Sequence, residues 1–241
     1  MKLKFNQAGD RVAKFGYFAL FVVFPLLGVG CFTEKPTADN GTSEAALPGD
    51  PSAANAKQSS KMAMPSPASI VFKDQVESNV EVTGELDSLV FYDTEGNEVS
   101  IKQLLGKKNI VLVFTEGFAG GMLCPFCKTQ TSRLVANYSK FADLDSEVLV
   151  VYPGTRDHLD EFVSAAKKHE KSEVDKIPFP LVLDEDLSAV NFFQIASNLA
   201  HPSTFIIDKQ GNVRLAYVGA DMSADRPSIA SMLDILSAAT E

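Results

Sequence analysis

The feature that most narrows the fold is a buried-strand pattern that runs into a cysteine pair and then a helical pattern. Ile110-Val111-Leu112-Val113-Phe114 is a continuous apolar run, bounded by Asn109 and Thr115. Such a run fits a central strand covered on both faces, because a strand with one wet face alternates apolar and polar residues. Cys124-Pro125-Phe126-Cys127 follows, and then Leu134, Tyr138 and Phe141 recur at i, i+4, i+7. That spacing marks one face of a helix. Pro125 suits the first helical position, where its missing N–H costs nothing. Cys124 is then placed at a helix N-terminus, whose unpaired N–H groups and dipole favour a thiolate.

Two intervening residues let the sulfurs close a disulfide across the first helical turn. A thiolate attacks a disulfide, and its neighbour releases the mixed intermediate. Only the more N-terminal cysteine has both exposure and the dipole, so Cys124 is the expected nucleophile and Cys127 the resolving thiol. Half of a zinc site is a poor alternative. Such sites need four ligands, the third cysteine is Cys31, and His158, His169 and His201 are dispersed. A purely structural bridge is also disfavoured, because so short a loop constrains little of the unfolded chain. No metal and no cofactor is expected.

The remaining pattern alternates. Leu89–Tyr92 and Val99–Ile101 flank a Gly-containing turn and predict a hairpin. Glu147–Tyr152 predicts a second buried strand, and His158 to about Lys171 an amphipathic helix. Pro180–Leu183 predicts a short strand and Leu187–Phe193 a short helix. Thr204–Ile207 and Val213–Val218 predict a hairpin across Asp208–Gly211, and Arg226–Ala239 a last helix. Strands alternating with helices in this way imply an α/β sandwich around a mixed sheet. Lys167-Lys168 and Asp184-Glu185-Asp186 are expected as solvated charge runs.

The N-terminal part is different. Lys2, Lys4, Arg11 and Lys14 precede an uncharged stretch, Phe15–Gly30, which ends at Cys31. A basic region, an apolar region and small residues before a cysteine describe a secretory or lipoprotein signal. Gly28-Val29-Gly30-Cys31 resembles a bacterial lipobox, in which Cys31 is lipidated, although Gly28 stands where Leu is usual. An uncleaved anchor over Phe15 to about Phe32 and plain cleavage are the alternatives. The two leading readings, lipobox and anchor, tether the chain to a membrane, outside the cytoplasm. Residues 36–68 hold five of the 12 prolines and no aromatic residue. Such a segment cannot bury enough apolar surface to offset the entropy of ordering, so it is expected to be a flexible tether.

The expected organisation is therefore a signal or anchor at 1–35, a tether at 36–68 and one domain at 69–241. The 241-residue chain carries a net charge of −9. Its first 68 residues hold seven basic and five acidic groups, so the domain has 15 and 26, a balance of −11. So acidic a surface disfavours nucleic acid, whose phosphates are bound by clustered Lys and Arg.

From about Leu86 to Ala239 the chain resembles a thioredoxin-fold redoxin close to the alkyl hydroperoxide reductase/thiol-specific antioxidant (peroxiredoxin-like) family. The resemblance rests on several stretches: Leu89–Gly106, Val111–Thr115 before Cys124-Pro125-Phe126-Cys127-Lys128, His201-Pro202-Ser203-Thr204-Phe205-Ile206-Ile207-Asp208 with Gly211, and Asp225-Arg226-Pro227-Ser228. It implies a thioredoxin-like three-layer sandwich with an N-terminal hairpin extension. It also implies that Pro202 is a cis proline facing the cysteines, and that the backbone of His201 pairs with an extended substrate segment. Two departures stand out. Gly121 occupies the position of the family's Thr three residues before the reactive cysteine, and Pro202 falls where the family supplies an arginine. Arg133 and Arg226 are the candidate replacements. Glu116 is either a proton acceptor beside the cysteines or an ordinary loop carboxylate, and Gly117, Gly120 and Gly121 suggest a bent, mobile approach loop.

Three functions fit these residues. The leading one is a membrane-tethered, extracytoplasmic thiol–disulfide oxidoreductase acting on protein or small-molecule thiols and disulfides. The second is a thiol peroxidase, in which Cys124 becomes a sulfenic acid and Cys127 condenses with it. The third is a non-enzymatic module, either for interaction or for copper held by Cys124, Cys127 and His201.

Overall fold

The computed structural model describes residues 70–169, 172–221 and 225–239. All of them fall in one compact unit. The expectations for the signal, Cys31 and the tether lie outside the described residues.

A seven-stranded mixed sheet forms the middle layer. Its strands are β2 (Val90–Asp93), β3 (Glu98–Ser100), β4 (Asn109–Phe114), β7 (Ser146–Pro153), β10 (Leu181–Asp184), β11 (Ser203–Ile207) and β12 (Val213–Val218). The spatial order is β12-β11-β4-β7-β10-β2-β3. β4 and β10 both run parallel to β7, and the remaining pairs are antiparallel. The predicted N-terminal hairpin is present as β2 and β3, and it extends the main sheet at one edge.

The apolar run of β4 is continuous because both of its faces are covered. Val111 and Val113, with Val148 and Val150 of β7, face a layer that includes Phe141, Phe162, Met232 and Leu236. Ile110, Leu112 and Phe114, with Leu149 and Val151, face Ile101, Val190 and Phe193. The first layer is built by α2 (Pro125–Ala142), α3 (Leu159–Ala166) and α5 (Ile229–Ala238), and the second by α1 (Ile101–Leu104) and α4 (Ser188–Phe192). The fold is the expected three-layer α/β sandwich.

Three local expectations are corrected. The helix predicted to reach Lys171 stops at Ala166, because its apolar stripe runs out there. The chain then turns back in a two-residue pairing of β8 (Lys168–His169) with β9 (Ser172–Glu173). Asp184 is not on a solvated face. It is 3% exposed and accepts hydrogen bonds from the backbone N–H groups of Ala189 and Val190 at 3.0 and 2.9 Å, capping α4. The last helix begins at Ile229, with Ser228 capping it through the Ser231 N–H. Arg226 precedes Pro227, and a residue before proline is pushed out of the helical region. Arg226-Pro227 is instead a short strand, β13, paired in parallel with β1 (Phe72–Lys73).

The glycine-rich approach to the cysteines is ordered as a small hairpin, β5 (Phe118–Ala119) with β6 (Met122–Leu123). The ring of Phe118 stacks on His158, 3.9 Å between centroids. Gly117 is required at its base. It has φ +72°, and a Cβ there would lie 2.8 Å from the Pro153 carbonyl oxygen.

Candidate active site

Strand β4 ends at Phe114, and Thr115 and Glu116 carry the chain past the rim of the sheet. The hairpin returns it so that the Cys124 N–H donates to the Gly117 carbonyl at 3.4 Å. Cys124 is the N-cap of α2 and Pro125 opens the helix, as expected. The Cys127 N–H donates to Cys124 Sγ at 3.3 Å, so the sulfur takes the place of the usual capping oxygen. The Glu116 N–H donates to Cys127 Sγ, also at 3.3 Å. The two sulfurs are 2.6 Å apart and both cysteines are free.

Both are also buried: Cys124 is 4% exposed and Cys127 1%. Beside them lies Arg226, itself 1% exposed. Its Nη2 stands 3.6 Å from Cys127 Sγ and 3.9 Å from Cys124 Sγ. Its Nε donates to the side-chain oxygen of buried Gln130 at 3.0 Å, and its guanidinium sits 5.8 Å from the Phe126 ring centre. Of the two candidate arginines, then, Arg226 reaches the cysteines. Arg133 does not: its guanidinium lies over the ring of Phe72, 4.3 Å from the centre.

The two thiols ionise as an interacting pair. Burial opposes ionisation of Cys127, but the hydrogen bond from Cys124, the Arg226 guanidinium and the Glu116 N–H outweigh it and draw the thiol down to about 7. Cys124 is pushed upward, first by its hydrogen bond to Cys127 and then by burial. A second thiolate beside the first would place two like charges in contact, so the pair loses one proton readily and the next only with difficulty. From its place at the helix terminus alone, Cys124 is the expected anion. The donors in the structure favour Cys127 instead, which receives the Glu116 N–H and lies nearer the Arg226 guanidinium. Glu116 is partly buried, and burial raises its carboxyl; its hydrogen bond to Cys124 and the charges of Arg226 and His201 work the other way.

The model of the AhpC/TSA family matches residues 79–216, more than half of the chain. The chain belongs to the AhpC/TSA family. Alkyl hydroperoxide reductase C of Staphylococcus haemolyticus (strain JCSC1435) is 29% identical to it over 130 residues. That alignment takes in 53% of this chain and 64% of the relative, so the chain spans just under two thirds of that protein's length. Among solved structures, thioredoxin peroxidase I of Plasmodium yoelii superposes with a TM-score of 0.50 at 21% identity, covering 66% of this chain and 91% of that one. The reduced 2-Cys peroxiredoxin of Plasmodium vivax also gives 0.50, at 18% identity, with 63% and 76% covered. The architecture is therefore the thioredoxin fold of peroxiredoxins.

Within this AhpC/TSA domain, His201 and Pro202 lie at the same end of the sheet as the cysteines. Ser203 pairs with Phe114, which places the two residues before it alongside Thr115 and Glu116. His201 Nδ1 is buried without a hydrogen-bond partner, and its backbone N–H donates to the Ile195 carbonyl at 2.7 Å. The Pro202 carbonyl accepts from the Gly219 N–H at 2.9 Å. Among the described residues, no three His, Cys, Asp or Glu side chains are grouped to hold a metal ion. Gln130 was not legible as a site residue. Its position three residues after Cys127 puts it one helical turn on, which is the only signal the sequence carries.

Proposed function

We propose that the chain is a thiol peroxidase that closes its own disulfide. The observation that carries this reading is the near-complete burial of both sulfurs beside a buried guanidinium. A hydroperoxide needs room for two oxygen atoms, whereas a protein disulfide must approach a sulfur in line with its own S–S bond. The relative's name, alkyl hydroperoxide reductase C, agrees with that choice. In the first step Cys124, its proton passed to the Cys127 sulfur 2.6 Å away, attacks the outer oxygen of ROOH as the thiolate. An S–O bond forms, the O–O bond breaks, ROH leaves after taking a proton, and Cys124 becomes a sulfenic acid. Arg226 offsets the negative charge that moves from sulfur to oxygen. Cys127 then attacks the sulfenic sulfur, water leaves, and the Cys124–Cys127 disulfide forms. Two equivalents of an external thiol restore the dithiol and are themselves oxidised to a disulfide.

Peroxide consumption by the reduced protein tests this directly. The wild type should react much faster than free cysteine, Cys124→Ser should lose that reaction, and Cys127→Ser should stop at the sulfenic acid, trapped by dimedone. A wild-type rate no better than free cysteine overturns the peroxidase. Thiol–disulfide exchange is the second reading, favoured by the two-residue spacing of the cysteines and by His201-Pro202 at the same sheet end. It requires the wild type to reduce insulin faster than it reduces peroxide.

The same proposal places the domain outside the cytoplasm on a membrane, supported by the basic and apolar leader that ends at Cys31. No helix among the described residues is long and apolar enough to cross a membrane. Cells fed a fatty-acid analogue should label the wild type and not Cys31→Ser. A wild type that stays in the membrane fraction without taking up label would favour the uncleaved anchor instead.

A further inference from the structure

The guanidinium at the sulfurs comes from outside the residues that carry the family match, which end at Ala216. So does the strand that holds it. β13 is two residues long and is no part of the seven-stranded sheet; its ladder partner is β1, with Phe72 opposite Arg226 and Lys73 opposite Pro227. The Ser228 N–H extends the pairing by donating to the Lys73 carbonyl at 2.8 Å. Isolated two-stranded pairings are marginal in water, so side chains must secure this one.

They do so on both sides. Successive residues of a strand face opposite ways, so Arg226 and Asp225 diverge. Arg226 turns toward the cysteines and Gln130. Asp225, 8% exposed, meets Lys73 Nζ at 2.5 Å and accepts a short hydrogen bond from the Tyr217 hydroxyl. Lys73 Nζ also donates to the Tyr217 oxygen at 2.9 Å, and the Ala220 N–H reaches the second Asp225 oxygen at 2.8 Å. A Cβ on Gly219 would stand 2.5 Å from the Asp225 carbonyl oxygen, so this close approach admits only glycine. Arg133 covers Phe72. Farther along, Ser78 and Asn79 hydrogen-bond to Ala216 and Val218 of β12 and seal that edge of the sheet.

We propose that residues 72–79 are a clasp that installs Arg226 at the dithiol, with Lys73 as its positioning residue. A buried guanidinium gives up its hydration, so it remains against two sulfurs only while backbone and partners hold it there. Lys73 acts on the cysteines at one remove, through its ion pair with Asp225, the residue just before Arg226, and through the pairing of β1 with β13. The clasp is the first described segment after the residues expected to tether the chain, which makes the reactivity of the thiols answerable to the chain's N-terminal side. The inference rests on Cys124 and Cys127 being the reactive pair.

The test uses the full reduced chain and reads the pH profile of iodoacetamide alkylation. The groups facing the dithiol are Arg226, Glu116, Tyr152 of β7 and, beyond Glu116, His201; those facing Asp225 are Lys73 and Tyr217. Lys73→Met should slow alkylation at pH 7 by roughly three- to tenfold, the factor that up to one pKa unit carries. Lys73→Arg should restore most of it, and Asp225→Asn should act in the same direction as Lys73→Met. In an Arg226→Met background, Lys73→Met should add nothing, since coupled residues are not additive. Lys176→Met, which removes an exposed ion pair with Glu95, is the control and should leave the profile unchanged. A folded Lys73→Met or Asp225→Asn protein with the wild-type profile overturns the clasp, as does an equal slowing with Arg226 absent. Failure of the peroxidase would appear separately, as slow peroxide consumption by a wild type whose alkylation profile still responds to Lys73.

Discussion

The centre of the sheet and its rim bury side chains on opposite terms. β4 and β7 hide apolar groups at 0% exposure, from Ile110 to Phe114 and from Val148 to Val151, and any well-shaped apolar neighbour satisfies them. At the rim the buried groups are Arg226, Asp225, Gln130 and two sulfurs, and each needs a particular partner at hydrogen-bond distance. Burial of the first kind is non-directional and proportional to area. Burial of the second kind costs free energy unless the geometry is right. Stability should therefore reside mainly in the centre and thiol reactivity in the rim, so that mutation can separate them.

The largest expected effect lies in the centre. Phe205 of β11 is fully buried on the sheet face away from α2, stacked on Phe193 at 4.1 Å between ring centres and edge-on to Phe114 at 5.9 Å. Phe205→Ala should cost about 3–5 kcal/mol of unfolding free energy in a denaturant titration. The pH profile of thiol alkylation in the folded fraction should stay where it was. A loss below about 1 kcal/mol, typical of a surface change, would place the stability elsewhere.

The same contrast explains what the sequence made legible. The order of strands and helices follows from apolar periodicity, which is local, and so β4, β7, β11 and α2 fall where Val111, Val148, Phe205 and Leu134 place them. The cysteine pair is a contiguous motif on one of those elements. The clasp is not local. Phe72-Lys73 has no periodicity to read, and its meaning comes from a pairing with Arg226-Pro227 at the other end of the chain. Asp184 misleads for a related reason: in an acidic triplet it looks solvated, yet the start of α4 folds back onto its carboxylate. For Arg226 the Asp225-Arg226-Pro227-Ser228 stretch was visible, but the apolar stripe of α5 started its predicted helix three residues too early. The proline held the correction, because it forces the preceding residue to be extended.

Arg226→Met is the sharper cut between the two regions, and its effect should be intermediate. An opposite charge within about 4–6 Å lowers an acid by about 1–3 pKa units, so its removal should slow alkylation at pH 7 by about tenfold or more. Replacing a buried charge by an apolar side chain of similar length also removes a desolvation cost, so the stability lost should be smaller than for Phe205→Ala. A variant that loses stability as severely as Phe205→Ala while keeping its alkylation profile would make Arg226 a packing residue and erase the distinction.

The smallest effect is a pH dependence carried by the clasp. Burial works against the Asp225 carboxylate, but the hydrogen bonds from Lys73, Tyr217 and the Ala220 N–H outweigh it and hold the group down at about 2, against 3.8 for an ordinary aspartate. A carboxyl lowered on folding stabilises the native state fully above its unfolded value and loses that contribution as pH falls through the folded one. The advantage of the wild type over Asp225→Asn should therefore be constant above about pH 4 and shrink between about pH 4 and pH 2. Asp93, Asp145, Asp186, Asp208 and Glu161 are also held low, while burial raises Glu116 and Glu147. All of these groups are present in both proteins, so the difference in denaturant midpoint isolates Asp225. A difference that persists unchanged down to pH 2 would mean that the Asp225 charge contributes nothing to the clasp, and that the backbone pairing of Phe72-Lys73 with Arg226-Pro227 holds the guanidinium by itself.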